Sequence, residues 1–204
     1  MTLQQEHRSV EERRDQLVDA AIAVLRDGGI AAVTTRAVTA RAGLPHGAFH
    51  YCFAGKAPLF HAVLERQLRT AMAVAFAPPV TPLGLEARIA SGLSAHLAQT
   101  RSDPATALAL VELVTYSRRD PDLQDLAAWE QDAYLAAVRA QVEAWTAEDD
   151  IRWTIPVDQV VRLLIATADG IGSTWLADRD DAAAEATVLA AARAIASLAD
   201  GSGA

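Results

Sequence analysis

Residues 34–59 read TTRAVTARAGLPHGAFHYCFAGKAPL, and the punctuation of this stretch decides the fold. Thr34 is placed to cap a short helix that runs to Ala42 and stops at Gly43. Leu44-Pro45 turns the chain, and a second short helix spans roughly His46 to Cys52. Ala54-Gly55 breaks it, and a longer helix begins at Lys56 and runs to about Phe76. Upstream, Ser9 and Glu12 have the S-x-x-E spacing of a capping box. Behind them Leu17, Val18, Ala21, Ile22, Val24 and Leu25 recur at helical spacing until Gly28-Gly29.

Two short helices joined by a tight turn at Gly43, behind a longer helix, have the layout of a helix-turn-helix. The second short helix of such a unit enters the major groove of DNA. The charges agree. From Gly28 to Leu64 there is no Asp or Glu, although the whole chain carries 26 acidic residues and a net charge of −8. Composition alone would put about five acids in that stretch. It keeps Arg36, Arg41 and Lys56, with His46, His50 and His61. A polyanion is tolerated here and repelled elsewhere. Three helices begin inside the gap without the first-turn carboxylates that Glu11 and Glu12, or Asp180 and Asp181, supply elsewhere. Their N–H groups suit an external anion such as phosphate. Lys56, a cation in a first helical turn, opposes the helix dipole and makes sense beside a bound anion.

The remainder of the 204 residues is about half apolar and rich in alanine, with no alternating Val/Ile/Thr run, which points to an all-α fold of about nine helices. Cys52 is the only cysteine, so an intrachain disulfide and cysteine-rich zinc sites are excluded. His46, His50 and Cys52 would diverge on so short a helix, so no metal is expected. Residues 1–9 are polar, with no apolar leader, and no run of about 18 apolar residues suggests a membrane span, so a cytoplasmic location is expected. Pro78-Pro79-Val80-Thr81-Pro82 is the strongest boundary. It gives an expected division into 1–55, a connecting helix 56–77, and a helical domain 78–204. In that domain helices are expected from about Leu83 to Gln99, from Asp103-Pro104 to Arg118-Arg119, from Asp120-Pro121 to Ala147, from Pro156 to Leu176 and from Asp181 to Ala199, with a loop over 148–155.

The stretch from Thr34 through Leu59, set within about Val10 to Glu65, resembles the DNA-binding domain of the tetracycline-repressor (TetR) family. Arg118-Arg119-Asp120-Pro121-Asp122-Leu123 and Ala168-Asp169-Gly170-Ile171 resemble phrases of that family's second domain. His50 stands where the family usually has Tyr, Cys52 where it has an aromatic or His, and Gly55 where it has Ser or Asn. The resemblance implies a ligand-responsive regulator, most simply a repressor, that binds a palindromic double-stranded operator as a homodimer, without cofactor or catalytic residues. The implied DNA-binding residues are Thr34, Thr35, Arg36, Pro45, His46, Gly47, Ala48, His50, Tyr51 and Lys56.

The family's second domain implies a small-molecule pocket. Candidate lining residues are His96, Tyr116, Trp129, Tyr134, Trp145, Trp153, Thr167, Asp169 and Trp175, although aromatics at helical spacing are more often core. The last two helices are the expected dimer surface. Gly170 and Gly172, costly in a helix interior, suggest close helix approach there. Leu163, Ile171, Leu176, Leu189, Ile195 and Leu198 would supply its apolar seam, or face their own core. Two alternatives stand beside this reading: a regulator of the same fold answering to a protein partner or to no ligand, and, more distantly, an all-α enzyme.

Overall fold

The computed structural model describes residues 9–77 and 83–200. The proline-rich break at 78–82, residues 1–8 and the tail at 201–204 lie outside the described residues. Nine α-helices are found among the described residues: α1 (Val10–Ala32), α2 (Thr35–Arg41), α3 (Gly47–Cys52), α4 (Lys56–Ala75), α5 (Leu85–Ser102), α6 (Pro104–Ser117), α7 (Gln124–Asp149), α8 (Val157–Asp178) and α9 (Asp181–Ala196). A short 3-10 turn, Pro121–Leu123, precedes α7.

The helices start where the sequence offers side-chain acceptors. Ser9 Oγ accepts from the Glu12 N–H, and the Glu12 carboxylate accepts from the Ser9 N–H, completing the capping box. Thr34 Oγ1 accepts from the Ala37 N–H, and Asp180 caps α9 through the Ala183 N–H. Glycine governs two exits. Gly29 has φ 68° and ψ −176°, a conformation open essentially to glycine alone, and helical turns resume beyond it to Ala32. Helix α1 is therefore kinked there rather than ended. Gly43, at φ 64°, ends α2. Its N–H donates to the Ala40 carbonyl and the Leu44 N–H to the Thr39 carbonyl, a complete Schellman motif.

The described residues form two compact units, one grouping those up to Arg66 with Ala105–Ala128, the other those from Gln67 to Pro104 with those from Trp129 onward. Most of α6 and the start of α7 fall with the N-terminal helices in this grouping. In the first unit α1, α2 and α3 pack against one another around Leu17, Val18, Leu25, Val33, Val38, Phe49, Phe53 and Leu59, all nearly inaccessible. Burying a side chain of this size stabilises by about 1.5–3 kcal/mol.

In the second unit α5, α8 and α9 pack together, and the second half of α7 adds Val138, Val142 and Trp145 to their core. Arginines tie the helix ends. Arg88 of α5 pairs with Glu148 and Asp149, Arg101 with Asp181 and Glu185, and Arg139 with Asp158.

Two expectations need correction. The loop at 148–155 is shorter than expected, because α7 continues to Asp149. The chain is not wholly free of strands: β1 (Arg152–Trp153) pairs antiparallel with β2 (Ala199–Asp200), where α9 had been expected to continue. Thr154 reinforces this ladder, donating its N–H and its Oγ1 to the Leu198 carbonyl at 2.7 and 2.8 Å. A two-residue ladder leaves no alternation to read in a sequence. Helix α8 has the length and hydropathy of a membrane span, but it also packs on α5 and α9 and carries Asp158, Arg162, Asp169 and Asp178.

Candidate functional site

Helix α3 buries Phe49 at 0 % exposure and presents its other face to solvent. Pro45, His46, Gly47, His50 and Tyr51 are exposed, Tyr51 at 68 %, and Ala48 is half-buried. The His46 and His50 rings stand edge to face, 5.7 Å between centroids, one turn apart on that outer face. Phe53 ends the helix with its ring buried. Two aromatic anchors thus set the depth of α3, and its polar row is left outward.

Thr34 and Arg36 are exposed at the start of α2, and Lys56 is exposed at the start of α4. None of α2, α3 and α4 has an acid in its first turn. Thr34 spends its hydroxyl acceptor on its own helix as the cap.

Several acids of α1 in the first unit are engaged. Glu12 is in the capping box, and Asp15 and Asp19 both pair with Arg66 of α4. Asp27, the last acid before the gap, pairs with Arg26 and with Arg41, each at 3.0 Å. Its carboxyl is held below the usual range, chiefly by the Arg26 hydrogen bond and also by Arg41. Arg41, counted among the gap's cations by sequence, is therefore partly neutralised.

Two residues that sequence reading passed over hold this site in place. Arg14 Nη1 donates to the Cys52 carbonyl at 3.0 Å, and its guanidinium lies 4.2 Å from the Phe53 ring centroid. Gln16 Nε2 donates to the Ala42 carbonyl at 2.6 Å. A signal for the first was present: Arg14 sits in the helical register of Val18, Ala21 and Leu25, where an apolar residue would continue the core stripe.

In the second unit the ligand candidates separate. Asp169 of α8 acts electrostatically on both His96 of α5 and Tyr134 of α7. Burial lowers the His96 imidazole against the opposing pull of Asp169. Burial, then Glu130 and Asp169, push the Tyr134 phenol up to about 12. Thr100, buried on the next turn of α5, donates to the His96 carbonyl at 3.1 Å.

The tryptophans are mostly committed to structure. Trp145 is buried against Phe76, with ring centroids 5.8 Å apart. Trp153 donates its indole N–H to Thr146 Oγ1, and Trp175 donates to Asp181 Oδ1. Trp129 is half-buried, and Tyr116 is 44 % exposed in the first unit, hydrogen-bonded to Asp120. Thr167 and Trp175 instead line a groove of about 480 Å³ between α8 and α9, together with Ala166, Gly170, Thr174 and Ala183.

Of the seam candidates, Leu163 and Leu189 are exposed, at 41 % and 59 %, and Gly170 is open. Ile171, Gly172 and Ile195 face their own core, and Leu176 and Leu198 are half-buried. Among the described residues, no group of three or more His, Cys, Asp or Glu side chains is placed to hold a metal ion.

Comparison with known proteins fits this architecture. The family model described as bacterial regulatory proteins, tetR family, matches residues 17–63, the segment that holds α2, α3 and the start of α4. The nicotine-responsive transcriptional repressor HdnoR of Paenarthrobacter nicotinovorans is 30 % identical over 175 residues, covering 85 % of this chain and 88 % of that one. Among solved structures, the multidrug binding protein EbrR, complexed with imidazole, is 25 % identical over the whole of both chains, with a TM-score of 0.66. FadR of Bacillus subtilis, in complex with stearoyl-CoA, is 15 % identical and shares the fold, with a TM-score of 0.71 over 90 % of this chain and 97 % of that one. With a repressor related along nearly its full length and a helix-turn-helix of the matching kind, the chain belongs to the TetR family of DNA-binding transcriptional regulators.

Proposed function

We propose that the chain represses transcription as a homodimer on a palindromic operator and leaves the DNA when a small molecule binds in its second unit. The observation that carries this reading is the outward row of α3, set on two buried phenylalanines and flanked by the exposed Arg36 and Lys56. His46, Gly47 and Ala48 face the groove floor. There His46 exchanges a hydrogen bond with a base edge, Ala48 touches a thymine methyl, and Gly47 lets the backbone approach. Thr34, Thr35, Arg36 and Pro45 lie along the phosphate side. His50 and Tyr51 reach the backbone, and Lys56 with the start of α4 binds a phosphate. On this reading residues 1–55 read DNA in the cytoplasm, 56–77 connect, and the rest senses and dimerises.

Dimerisation uses the exposed face of α8 and α9. Leu163, Ala166, Gly170 and Thr174 form one stripe on α8, and Leu189 projects from α9, beside the groove the two helices share. Two copies joined there present two α3 helices to successive major grooves, about 34–36 Å apart.

The inducer binds among α5, α7 and α8, beside His96, Tyr134 and Asp169. Relatives respond to or bind chemically unlike molecules, nicotine for HdnoR and stearoyl-CoA for FadR. Nicotine is the first ligand to test, because HdnoR is the more similar in sequence. Release requires that the ligand prefer the DNA-incompetent arrangement, and α4, which starts at Lys56, is the element it must shift.

Selection of duplexes from the source genome by the purified chain tests the reading. A retained palindrome is the expected result, and retention of no fragment would overturn it.

A further inference from the structure

We propose that Arg14 and Gln16 of α1 are positioning residues that set the direction of α3 on DNA, although neither belongs to the helix-turn-helix. The inference rests on the reading of α3 as the groove-entering helix. Helix α3 has six residues, too few to hold a direction by its own hydrogen bonds. Phe49 and Phe53 fix its depth, but apolar burial is non-directional. Direction has to come from hydrogen bonds, and two are built for it.

The Cys52 carbonyl is one of the last in α3 and lacks an in-helix partner by position. Arg14 donates to it at 3.0 Å and lays its guanidinium on the Phe53 ring, so two contacts orient one side chain. A cation there also complements the carbonyl end of α3. At the other end of the motif, the Ala42 carbonyl closes α2 and opens the turn. Ala42 is 9 % exposed, so water is a poor substitute for the Gln16 amide that donates to it at 2.6 Å. Helix α1 thus grips the turn and the far end of α3 from residues two apart. With its guanidinium engaged by a carbonyl and a ring, Arg14 acts on specificity and leaves phosphate attraction to other cations.

The probes are a duplex retained by the wild-type protein from a random-sequence pool and a scrambled duplex of the same length. Binding of both is measured across a salt series for wild type, Arg14→Ala, Arg14→Lys and Gln16→Leu, with the unfolding temperature of each. Affinity for the selected duplex is expected to fall about tenfold in Arg14→Ala and in Gln16→Leu, the scale of one mis-set base contact. Binding to the scrambled duplex and the salt slope stay unchanged, and Arg14→Lys recovers part of the loss because it keeps a donor and a charge.

A folded Arg14→Ala that loses affinity equally for both duplexes, with a salt slope smaller by about one, would make Arg14 a phosphate contact and overturn the proposal. So would folded variants with unchanged discrimination. A variant that unfolds at the assay temperature is replaced by its partner at the other end of the motif, since the two are expected to act alike. A wild-type protein that retains no duplex would overturn the underlying reading and this proposal with it, and that outcome is seen before any substitution is made.

Discussion

A Cβ on Gly172 would stand 3.4 Å from Nε2 of His96, so the backbone of α8 lies against the imidazole with no side chain between them. That approach buries His96 and lowers its affinity for a proton, while the Asp169 carboxylate partly opposes the shift. The folded-state value lies below 6.5, so between the two values the unfolded chain binds a proton that the native chain resists. Stability is therefore full above about pH 6.5 and falls as the pH drops toward the folded value. The urea midpoint of the wild-type protein is expected to decline from pH 7.5 to 5.5 more steeply than that of His96→Gln. Parallel pH profiles would show that His96 titrates as freely folded as unfolded.

Tyr134 gives the opposite sign at the other end of the scale. Its phenol is pushed up to about 12, first by burial and then by Glu130 and Asp169. The neutral form is favoured by the fold, so this contribution is present below the ordinary value of 10 and is lost as the pH rises toward 12. Tyrosinate absorbance should include a late phase toward pH 12, and Tyr134→Phe should abolish it. Ionisation of all three tyrosines in a single step near 10 would contradict the burial of Tyr134.

Gly170 and Gly172 are two residues apart on α8 and are not equivalent. A Cβ at Gly170 meets nothing within 4 Å, whereas Gly172 faces His96 and Thr100. Replacing an exposed mid-helix glycine by alanine stabilises a helix by about 0.5–1 kcal/mol. Gly170→Ala should raise the unfolding temperature of the chain. Gly170→Leu, placed on the proposed seam, should shift sedimentation toward the monomer while leaving the far-ultraviolet spectrum intact. A Gly170→Leu protein that stays dimeric would move the dimer surface elsewhere.

The helix-turn-helix was legible because its signals are local. Thr34, Gly43 and Gly55 punctuate it within the segment, and each acts through its own backbone or its nearest turn. The second unit was less legible. Ile171 and Leu163 are both apolar residues of one helix, yet one is 3 % and the other 41 % exposed. Which of them faces the core depends on where α5 and α9 lie, and no spacing within α8 reports that. Phe76, which engages Trp145, is likewise a tertiary neighbour, while Trp153 and Trp175 donate to Thr146 and Asp181 across the turns that join adjacent elements. Arg14 and Gln16 escaped notice because the carbonyls they bind lie 38 and 26 residues away.

Lys56 and Arg41 look alike in the sequence, as two cations of an acid-free stretch, and the structure separates them. Arg41 lies 3.0 Å from Asp27, and its charge is shared with a carboxylate that stands one residue before the gap. Lys56 is exposed in the first turn of α4, beside N–H groups that have no in-helix acceptor. A cation there opposes the helix dipole in the free protein and joins it in holding a phosphate once DNA is bound. Lys56→Ala should weaken binding to selected and scrambled duplexes alike and reduce the slope of log K against log salt by about one. Arg41→Ala should change that slope by less, because Asp27 already takes up part of the Arg41 charge. The pair is best measured together on one duplex across one salt series. Equal slopes for the two variants would mean that ion pairing with Asp27 does not survive when DNA is present.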